Sequence, residues 1–187
     1  MNDVLDHFRE AGALLDGHFV LSSGLHSPQY LQCALALKDP EDAARFGQAI
    51  AEQFHGQAVD TVASPAIGGI IIGFAVAQAL HLPFIWTERE NGVMTLRRGF
   101  SVEQGEKILV VEDVITTGGS TRECIKALED RGAQVIGAAS IIDRSDGKAD
   151  VGVPRVSLVT LAVPTYSADQ CPLCEQGTTI TKPGSRQ

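Results

Sequence analysis

One stretch of the chain, from Lys107 to Glu123, constrains the fold more than any other. It reads K-I-L-V-V-E-D-V-I-T-T-G-G-S-T-R-E, an apolar run followed by two carboxylates and a loop rich in glycine and hydroxyl groups. The apolar run predicts a buried strand. Ser120 and Glu123 have the spacing of a capping box, which predicts that a helix begins there. The stretch therefore predicts a strand, a tight loop and a helix N-terminus in direct succession.

The loop in this stretch has the chemistry of a phosphate site. Glycine frees backbone N–H groups, hydroxyl side chains donate hydrogen bonds, and the positive end of a helix favours an anion. The residues that supply these groups are Thr116, Thr117, Gly118, Gly119 and Ser120. A nucleotide-hydrolysing P-loop is excluded, because it requires Gly-Lys-Ser/Thr and no lysine lies between Lys107 and Lys126.

The two carboxylates, Glu112 and Asp113, need a different partner from the phosphate. Two anions beside a phosphate repel it unless hydroxyl groups or a cation lie between them. Ribose hydroxyl groups or Mg2+ would fill that position. The sequence leaves both alternatives open.

Length and charge narrow the class of protein. A chain of 187 residues supports one sizeable core, so we expect one domain with appendages. No apolar run approaches the roughly 18 residues that cross a bilayer, and the N-terminus resembles no secretory signal, so we expect a soluble, cytoplasmic protein. The net charge of −8 argues against nucleic acid as the main partner. The four cysteines are typical of a reducing compartment.

Apolar periodicity predicts alternating strands and helices along the chain. Helices are expected over residues 4–15, from a cap at Asp39 onward, over about 69–80, and after the loop as far as Gly132. The helix over 69–80 is apolar all round, which predicts that it lies inside. A hairpin is expected over 18–32, and strands at 60–63, 82–87, 107–111, 134–143 and 155–163.

This alternation predicts an α/β fold with a mostly parallel twisted sheet and helices on both faces. Ligands bind such sheets at the carboxyl ends of the strands. Three polar segments fall at those ends: 64–69, 112–120 and 143–144. We expect them to converge on one crevice.

The segment from Thr87 to Phe100 carries Arg89, Arg97 and Arg98 and includes an Asn-Gly turn. It has two interpretations that the residues alone do not separate. It is either a solvated hairpin or a mobile cationic flap that covers an anionic substrate.

The tail contains C-P-L-C, from Cys171 to Cys174. A structural zinc ion needs four ligands, and no second C-x-x-C or nearby histidine pair stands beside this motif in the sequence. We therefore expect a packing or turn role, unless two chains share a site. Four histidines show no ligand spacing and are interpreted as surface or core residues: His18, His26, His55 and His81.

The order of apolar strand, E-D, V-I and T-T-G-G-S resembles the signature of the type I phosphoribosyltransferases, which bind 5-phosphoribosyl 1-diphosphate. Other segments resemble the orotate phosphoribosyltransferase branch over nearly the whole chain: H-F-V-L-S-S-G-L-H-S-P-Q-Y-L-Q, A-S-P-A-I-G-G, I-I-D-R and C-P-L-C. The resemblance implies transfer of the phosphoribosyl group to orotate, giving orotidine 5′-monophosphate and pyrophosphate in pyrimidine biosynthesis.

The same resemblance implies an assembly and a domain plan. Mg2+ travels on the diphosphate, with no direct protein ligand, and the flap of one subunit covers the site of the other in a homodimer. No nucleic acid or membrane is involved. Residues 1–187 form a single catalytic domain, with a core at about 38–145 and a small hood from 1–37 and 146–187.

The resemblance also implies roles for individual residues. The phosphoribosyl diphosphate site is Glu112, Asp113, Val114, Ile115, Thr116, Thr117, Gly118, Gly119 and Ser120. The orotate site is Thr116, Arg144, Tyr30 and Leu31, with Arg144 forming bidentate hydrogen bonds to the orotate carboxylate. The catalytic residues are Arg89, Arg97, Arg98 and Asp113, with Arg89 as the first candidate for contact with pyrophosphate.

The chain departs from the family at two positions where lysine is common, Ser22 and Gly68, and its flap has only arginine as a cation. Two alternatives to orotate transfer remain. One is a purine phosphoribosyltransferase, which the H-F-x-L-S-S-G hairpin disfavours. The other is a nucleotide-sensing regulator that binds RNA or DNA, which the acidic balance disfavours.

Overall fold

The computed structural model describes residues 2–21 and 24–182, apart from the side chains of Asn2 and Asp3. Ser22, where the family commonly has lysine, lies outside the described residues. The helices are α1 (Asn2–Glu10), α2 (Cys33–Ala36), α3 (Pro40–Gln53), α4 (Gly69–Leu80), α5 (Gly119–Glu129) and α6 (Pro172–Glu175). The strands are β1 (Leu14–Val20), β2 (His26–Leu31), β3 (Thr61–Pro65), β4 (Phe84–Glu90), β5 (Val93–Leu96), β6 (Lys107–Ile115), β7 (Gln134–Asp143) and β8 (Arg155–Thr160).

The chain forms two compact units. The larger unit runs from Leu37 to Leu161, and the smaller unit combines the segments before and after it. The larger unit extends past the predicted core boundary near residue 145, because β8 pairs in parallel with β7. Among the described residues, no helix is both long and apolar enough to cross a membrane.

A six-stranded sheet forms the larger unit, in the order β5-β4-β3-β6-β7-β8. All its pairings are parallel except that of β4 with β5. Side chains alternate along β6, so Ile108 and Val110 join the cluster with α5 while Leu109 and Val111 face the other side. The predicted α/β fold, with a mostly parallel sheet flanked by helices, is confirmed.

Helix α3 begins as the sequence predicts. The Asp39 carboxylate accepts a hydrogen bond from the backbone N–H of Glu41 at 2.9 Å, and Pro40 occupies the first helical position. These features satisfy a backbone donor that the helix itself leaves unpaired.

The prediction that α4 is buried all round was wrong. Ile72 and Val76 are fully buried, but Ile71 is 47% exposed and Phe74 is 58% exposed. The helix packs against α3 and the sheet with one side only, so its opposite side faces outward. Apolar composition alone did not separate these two sides.

The smaller unit contains the N-terminal hairpin, formed by β1 and β2 in antiparallel pairing, as predicted. Helix α1 was predicted to reach residue 15, but it ends at Glu10. Gly12 has φ of 67°, a left-handed conformation that stops a helix. Leu14 and Leu15 then enter β1, where they pair with Leu31 and Tyr30.

Close packing between α3 and α4 depends on Gly47. A Cβ atom at this position would lie 2.6 Å from the backbone carbonyl carbon of Ala75. Backbone atoms in a packed helix cannot move aside cheaply, so an added methyl group forces the two helices apart.

We therefore expect Gly47→Ala to lower the free energy of unfolding by about 1–3 kcal/mol, although alanine favours the helical conformation. Urea unfolding followed by circular dichroism measures this change. Gly119→Ala is the matched control, since the nearest atom to its new Cβ is Thr117 Oγ1 at 3.6 Å. Equal stabilities of the wild type and Gly47→Ala would show that the helices do not pack this closely.

Candidate active site

The carboxyl ends of β3, β6 and β7 lie side by side in the sheet. Ala63 of β3 pairs with Val110 of β6, and Ile115 of β6 pairs with Asp143 of β7. The backbone N–H of Arg144 donates to the carbonyl oxygen of Ile115 at 2.7 Å. The three polar segments predicted to converge therefore meet at one edge of the larger unit.

The central loop reaches α5 through Gly118, which has φ of 73° in the left-handed region. The helix begins at Gly119, and no side chain caps its N-terminus. Free N–H groups at this end therefore point into the loop, where an anion would accept their hydrogen bonds.

The predicted capping box was wrong. The helix begins before Ser120, so Ser120 lies inside its first turn. Its hydroxyl group donates to Glu112 Oε2 at 3.1 Å, and Glu123 forms an ion pair with Arg89. Ser120 thus links the helix N-terminus to the acid pair of β6.

The loop is held in place from one side by groups that the sequence did not single out. Arg122 Nη1 donates to the carbonyl oxygen of Thr117 at 3.0 Å and also to that of Asp150. A Cβ atom at Gly118 would lie 2.8 Å from Val151 Cγ1. Thr117 and its neighbour Thr116 remain exposed. Arg122 stands directly after the loop in the sequence, but nothing in the sequence indicates that Asp150 returns to it.

The acid pair has unequal surroundings. Glu112 is 5% exposed, and burial, together with the negative charge of Asp113, raises its pKa to about 9. Asp113 is half-buried, and its Oδ1 accepts a hydrogen bond from the backbone N–H of Val114 at 2.8 Å. These surroundings therefore favour the protonated form of Glu112.

The turn before α4 approaches this acid pair closely. A Cβ atom at Gly68 would lie 2.8 Å from Asp113 Oδ1, and one at Gly69 would lie 3.2 Å from Glu112 Oε1. The lysine common in the family is thus replaced by a residue that leaves room for the Asp113 carboxylate. The sequence showed that Gly68 stands where lysine is common, but it did not show that Gly68 lies against the Asp113 carboxylate.

At the end of β7, Asp143 and Arg144 differ in their surroundings. Asp143 is buried and accepts hydrogen bonds from Ser145, the backbone N–H of Gly147 and Arg155 Nη1 at 2.6–3.0 Å. Burial raises the pKa of Asp143, but the hydrogen bonds from Ser145 and Arg155 outweigh it and lower the pKa overall. Asp143 thereby fixes the turn that follows Arg144. The Arg144 side chain is half-buried.

The segment from Thr87 to Phe100 contains the arginine hairpin, β4 and β5, which pair antiparallel at the edge of the sheet. The segment is therefore a hairpin, although it is solvated only in part. Met94 and Leu96 of β5 are buried in the cluster with α5, so this strand is part of the core. Whether the hairpin also covers a substrate stays a prediction.

Each arginine of this hairpin pairs with a carboxylate of its own chain. Arg98 binds Glu88 through two nitrogens at 2.7 and 2.9 Å, and this contact contributes most to lowering the pKa of Glu88 to about 2. Arg97 Nη2 lies 3.2 Å from Glu90, and Arg89 pairs with Glu123 of α5. Ion pairs at the protein surface contribute little to stability, so an anionic ligand could compete for these arginines.

Tyr30 and Leu31 lie on β2 in the smaller unit. The Tyr30 ring packs against Phe19 with centroids 5.8 Å apart. Both residues are half-buried, and their contact with orotate stays a prediction.

The raised pKa of Glu112 leads to a prediction about stability. The folded protein holds this proton up to about pH 9, whereas an unfolded glutamate loses it near 4.5. The contribution to stability is therefore complete below pH 4.5 and is lost as the pH rises towards 9. Glutamine keeps the neutral form, so the melting temperature of Glu112→Gln should rise relative to the wild type as the pH increases.

Thermal unfolding of both proteins at several values between about pH 5 and 9 measures the effect. Glu123→Gln controls for the loss of an exposed carboxylate. A constant difference between Glu112→Gln and the wild type across this range would contradict a proton on Glu112.

Comparisons with known sequences identify the family. The profile described as phosphoribosyl transferase domain matches residues 36–161. A protein from Desulforamulus reducens named orotate phosphoribosyltransferase is 50% identical over 185 residues, which cover 99% of this chain and 97% of that protein. A protein of the same name from Caulobacter vibrioides is 52% identical over 189 residues, covering 100% and 97%.

A solved structure extends the likeness to three dimensions. The crystal structure of orotate phosphoribosyltransferase from Aeropyrum pernix matches with a TM-score of 0.69 at 28% identity. The match covers 84% of this chain and 93% of that one. The sequence and the fold agree, and the chain belongs to the orotate phosphoribosyltransferase family.

Proposed function

We propose that this protein transfers the 5-phosphoribosyl group from 5-phosphoribosyl 1-diphosphate to orotate, giving orotidine 5′-monophosphate and pyrophosphate. The observation that carries the proposal is the acid pair, Glu112 and Asp113, placed directly before an uncapped helix N-terminus. The carboxylates favour a ligand with hydroxyl groups, and the helix N-terminus favours a phosphate. Ribose 5-phosphate has both. Relatives that match over the full chain are named for this activity.

The donor is bound through the central loop. The N–H groups of Gly118, Gly119 and Ser120 and the hydroxyl groups of the two threonines bind the 5′-phosphate, while Val114 and Ile115 carry the chain from the acids to the loop. The ribose hydroxyl groups donate to Asp113. Protonated Glu112 adds little negative charge beside the phosphate, so the two parts of the donor do not conflict.

The reaction needs charge stabilisation more than a nucleophilic side chain. As the ribosyl C1–O bond breaks, C1 gains positive charge and the diphosphate leaves with the electron pair. Orotate N1 forms the new bond to C1 and gives up its proton, which the departing diphosphate can accept. The protein positions the two reactants and stabilises these charges. Asp113 lies on the ribose side, and the arginines of the β4–β5 hairpin are the cations proposed for the diphosphate.

Mg2+ fits this arrangement as a partner of the donor. Burial and the negative charge of Asp113 raise the pKa of Glu112, and hydroxyl groups or a cation near the pair would favour its ionised form. We place the ion on the diphosphate, where it neutralises the leaving group. Asp113 and Glu112 then act on it through the ribose hydroxyl groups.

Orotate specificity is assigned to Arg144. Its guanidinium group suits a planar carboxylate, and its backbone is fixed beside Ile115 and the start of the loop. Thr116 follows Ile115 and is exposed there. Tyr30 and Leu31 complete the proposal as apolar contacts for the pyrimidine ring.

A homodimer is part of the same proposal. The outer side of α4 exposes Ile71 and Phe74, next to Ile67, and this apolar stripe has the chemistry that a second copy requires. The arginine hairpin would then contribute to the neighbouring subunit's site. A cytoplasmic location is proposed from the four free thiols, which are typical of a reducing compartment.

The proposed activity predicts that orotate is consumed only when the donor and Mg2+ are both present. Orotate absorbance measures turnover, with adenine and guanine offered separately as competing bases. Turnover of either purine at an equal or higher rate would contradict the assignment to orotate. Omission of Mg2+ without any loss of rate would contradict the role given to the ion.

The shared hairpin predicts recovery of activity in mixed dimers. We expect Arg89→Ala and Asp113→Asn each to lower kcat strongly, because one loses a cation for the leaving group and the other loses a ribose contact. After subunit exchange, half the sites of a mixed dimer combine an intact loop with an intact partner hairpin. Activity should therefore return.

Mass spectrometry establishes the exchange, and Arg97→Ala and Arg98→Ala are tested in the same way. If activity recovers when Arg97→Ala or Arg98→Ala replaces Arg89→Ala in the mixture, that arginine is the cation for the leaving group. If exchange occurs and no pair recovers activity, the hairpin serves its own subunit.

A further inference from the structure

A second group of chemically active side chains lies in the smaller unit, remote in sequence from the central loop. It consists of His18 on β1, His26 on β2, and Cys171 and Cys174 of the C-P-L-C motif. One potential ligand atom from each lies within 4.8 Å of all the others. His18, His26 and Cys171 are buried, and Cys174 is half-buried. The expectation that no histidine pair lies near the C-P-L-C motif was wrong, because the N-terminal hairpin brings His18 and His26 beside it.

The spacing between these atoms matches tetrahedral zinc. With Zn–S near 2.3 Å and Zn–N near 2.0–2.1 Å, sulfur and nitrogen ligands stand about 3.6 Å apart. Cys171 Sγ lies 3.6 Å from His18 Nε2, and Cys174 Sγ lies 3.7 Å from the same atom and 3.3 Å from His26 Nδ1. The two ring nitrogens are 2.7 Å apart, so they would separate by about half an ångström around an ion.

The orientation of His18 is already that of a metal ligand. Its Nδ1 lies 3.0 Å from the carbonyl oxygen of Thr178. A carbonyl oxygen can accept a hydrogen bond but cannot donate one. Nδ1 therefore carries the proton, and the lone pair of Nε2 points into the cluster. Metal-bound histidines are usually held by such a second hydrogen bond.

The backbone brings the two halves of the cluster together independently of the four side chains. His26 and Tyr166 exchange two hydrogen bonds, at 2.8 and 2.9 Å. The N–H of Thr181 donates to the carbonyl oxygen of His18 at 2.8 Å, and the N–H of Val20 donates to that of Thr181 at 3.0 Å. The C-terminal segment thus lies along the N-terminal hairpin, and these backbone contacts hold the four side chains close to one another.

We propose that His18, His26, Cys171 and Cys174 bind one structural Zn2+ ion that fastens the C-terminal segment to the N-terminal hairpin. Two sulfur and two nitrogen ligands select zinc over oxygen-preferring cations. Four protein ligands leave no open position, which is typical of a structural ion. Both thiols give up their protons to solvent on binding, because zinc takes thiolate and neutral imidazole as its ligands.

This role suits the smaller unit, whose regular structure is a two-stranded sheet and short helices. Small units bury too little apolar surface to be stable alone and are often fastened by a metal or by disulfides. The N-terminal hairpin and the segment that contains Tyr166 and Thr181 meet here. A metal that binds only when both segments are in place adds its binding free energy to the stability of the folded protein.

The full-length protein, produced with zinc in the medium and kept reduced, tests the proposal by elemental analysis. We expect about one zinc per chain, and at least a tenfold loss of bound zinc in Cys174→Ser and in His26→Ala. Cys33→Ala is the matched control, because Cys33 is a buried thiol of the same unit outside the cluster. It should keep its zinc.

Cobalt substitution of the wild type identifies the ligands even if a variant fails to fold. Tetrahedral Co2+ with two thiolates gives intense visible bands and a thiolate charge-transfer band in the near ultraviolet. Zinc-supplied protein without bound zinc and without these cobalt bands would overturn the proposal. A Cys171–Cys174 disulfide in protein isolated from a reducing cytoplasm would overturn it as well.

Discussion

The active site depends on the close approach of the turn before α4 to the acid pair at the end of β6. Gly68 and Gly69 bring their backbone against Asp113 and Glu112, with room for hydrogen atoms only. This contact fixes where the two carboxylates point and shields Glu112 from water, which raises its pKa. The parallel pairing of β3 with β6 holds the turn in place. The fold thus favours a protonated Glu112 beside the loop that we propose for the phosphate, where two full negative charges would repel the donor.

Most of the larger unit followed from local patterns in the sequence. The cap at Asp39 and the apolar run of β6 are short-range signals, and both correctly located their elements. Two predictions failed because tertiary packing decided them. Helix α4 exposes Phe74 although its sequence is apolar all round. Ser120 bonds to Glu112 across the loop rather than capping its own helix.

Site residues were predictable where the ligand groups stand together in the sequence, and not where distant segments meet. The central loop is continuous, so its order of residues was enough to predict a phosphate site there, and that role stays a prediction. The zinc ligands His18 and Cys171 are separated by 153 positions, and no local spacing relates them. Asp150, which accepts a hydrogen bond from Arg122 behind the loop, was missed for the same reason. Such contacts follow from topology rather than from motif chemistry.

The most direct test of this account is calorimetric titration of the donor with Mg2+ into wild type, Gly68→Ala, Asp113→Asn and the double variant. If the glycine serves to leave room for Asp113, Gly68→Ala should weaken donor binding about 10-fold to 100-fold, the scale of a hydrogen bond to a charged group. In the Asp113→Asn background, Gly68→Ala should cause little further loss of donor affinity, because the carboxylate that it would displace is already absent. Wild-type affinity in Gly68→Ala, or additive losses in the double variant, would contradict the account.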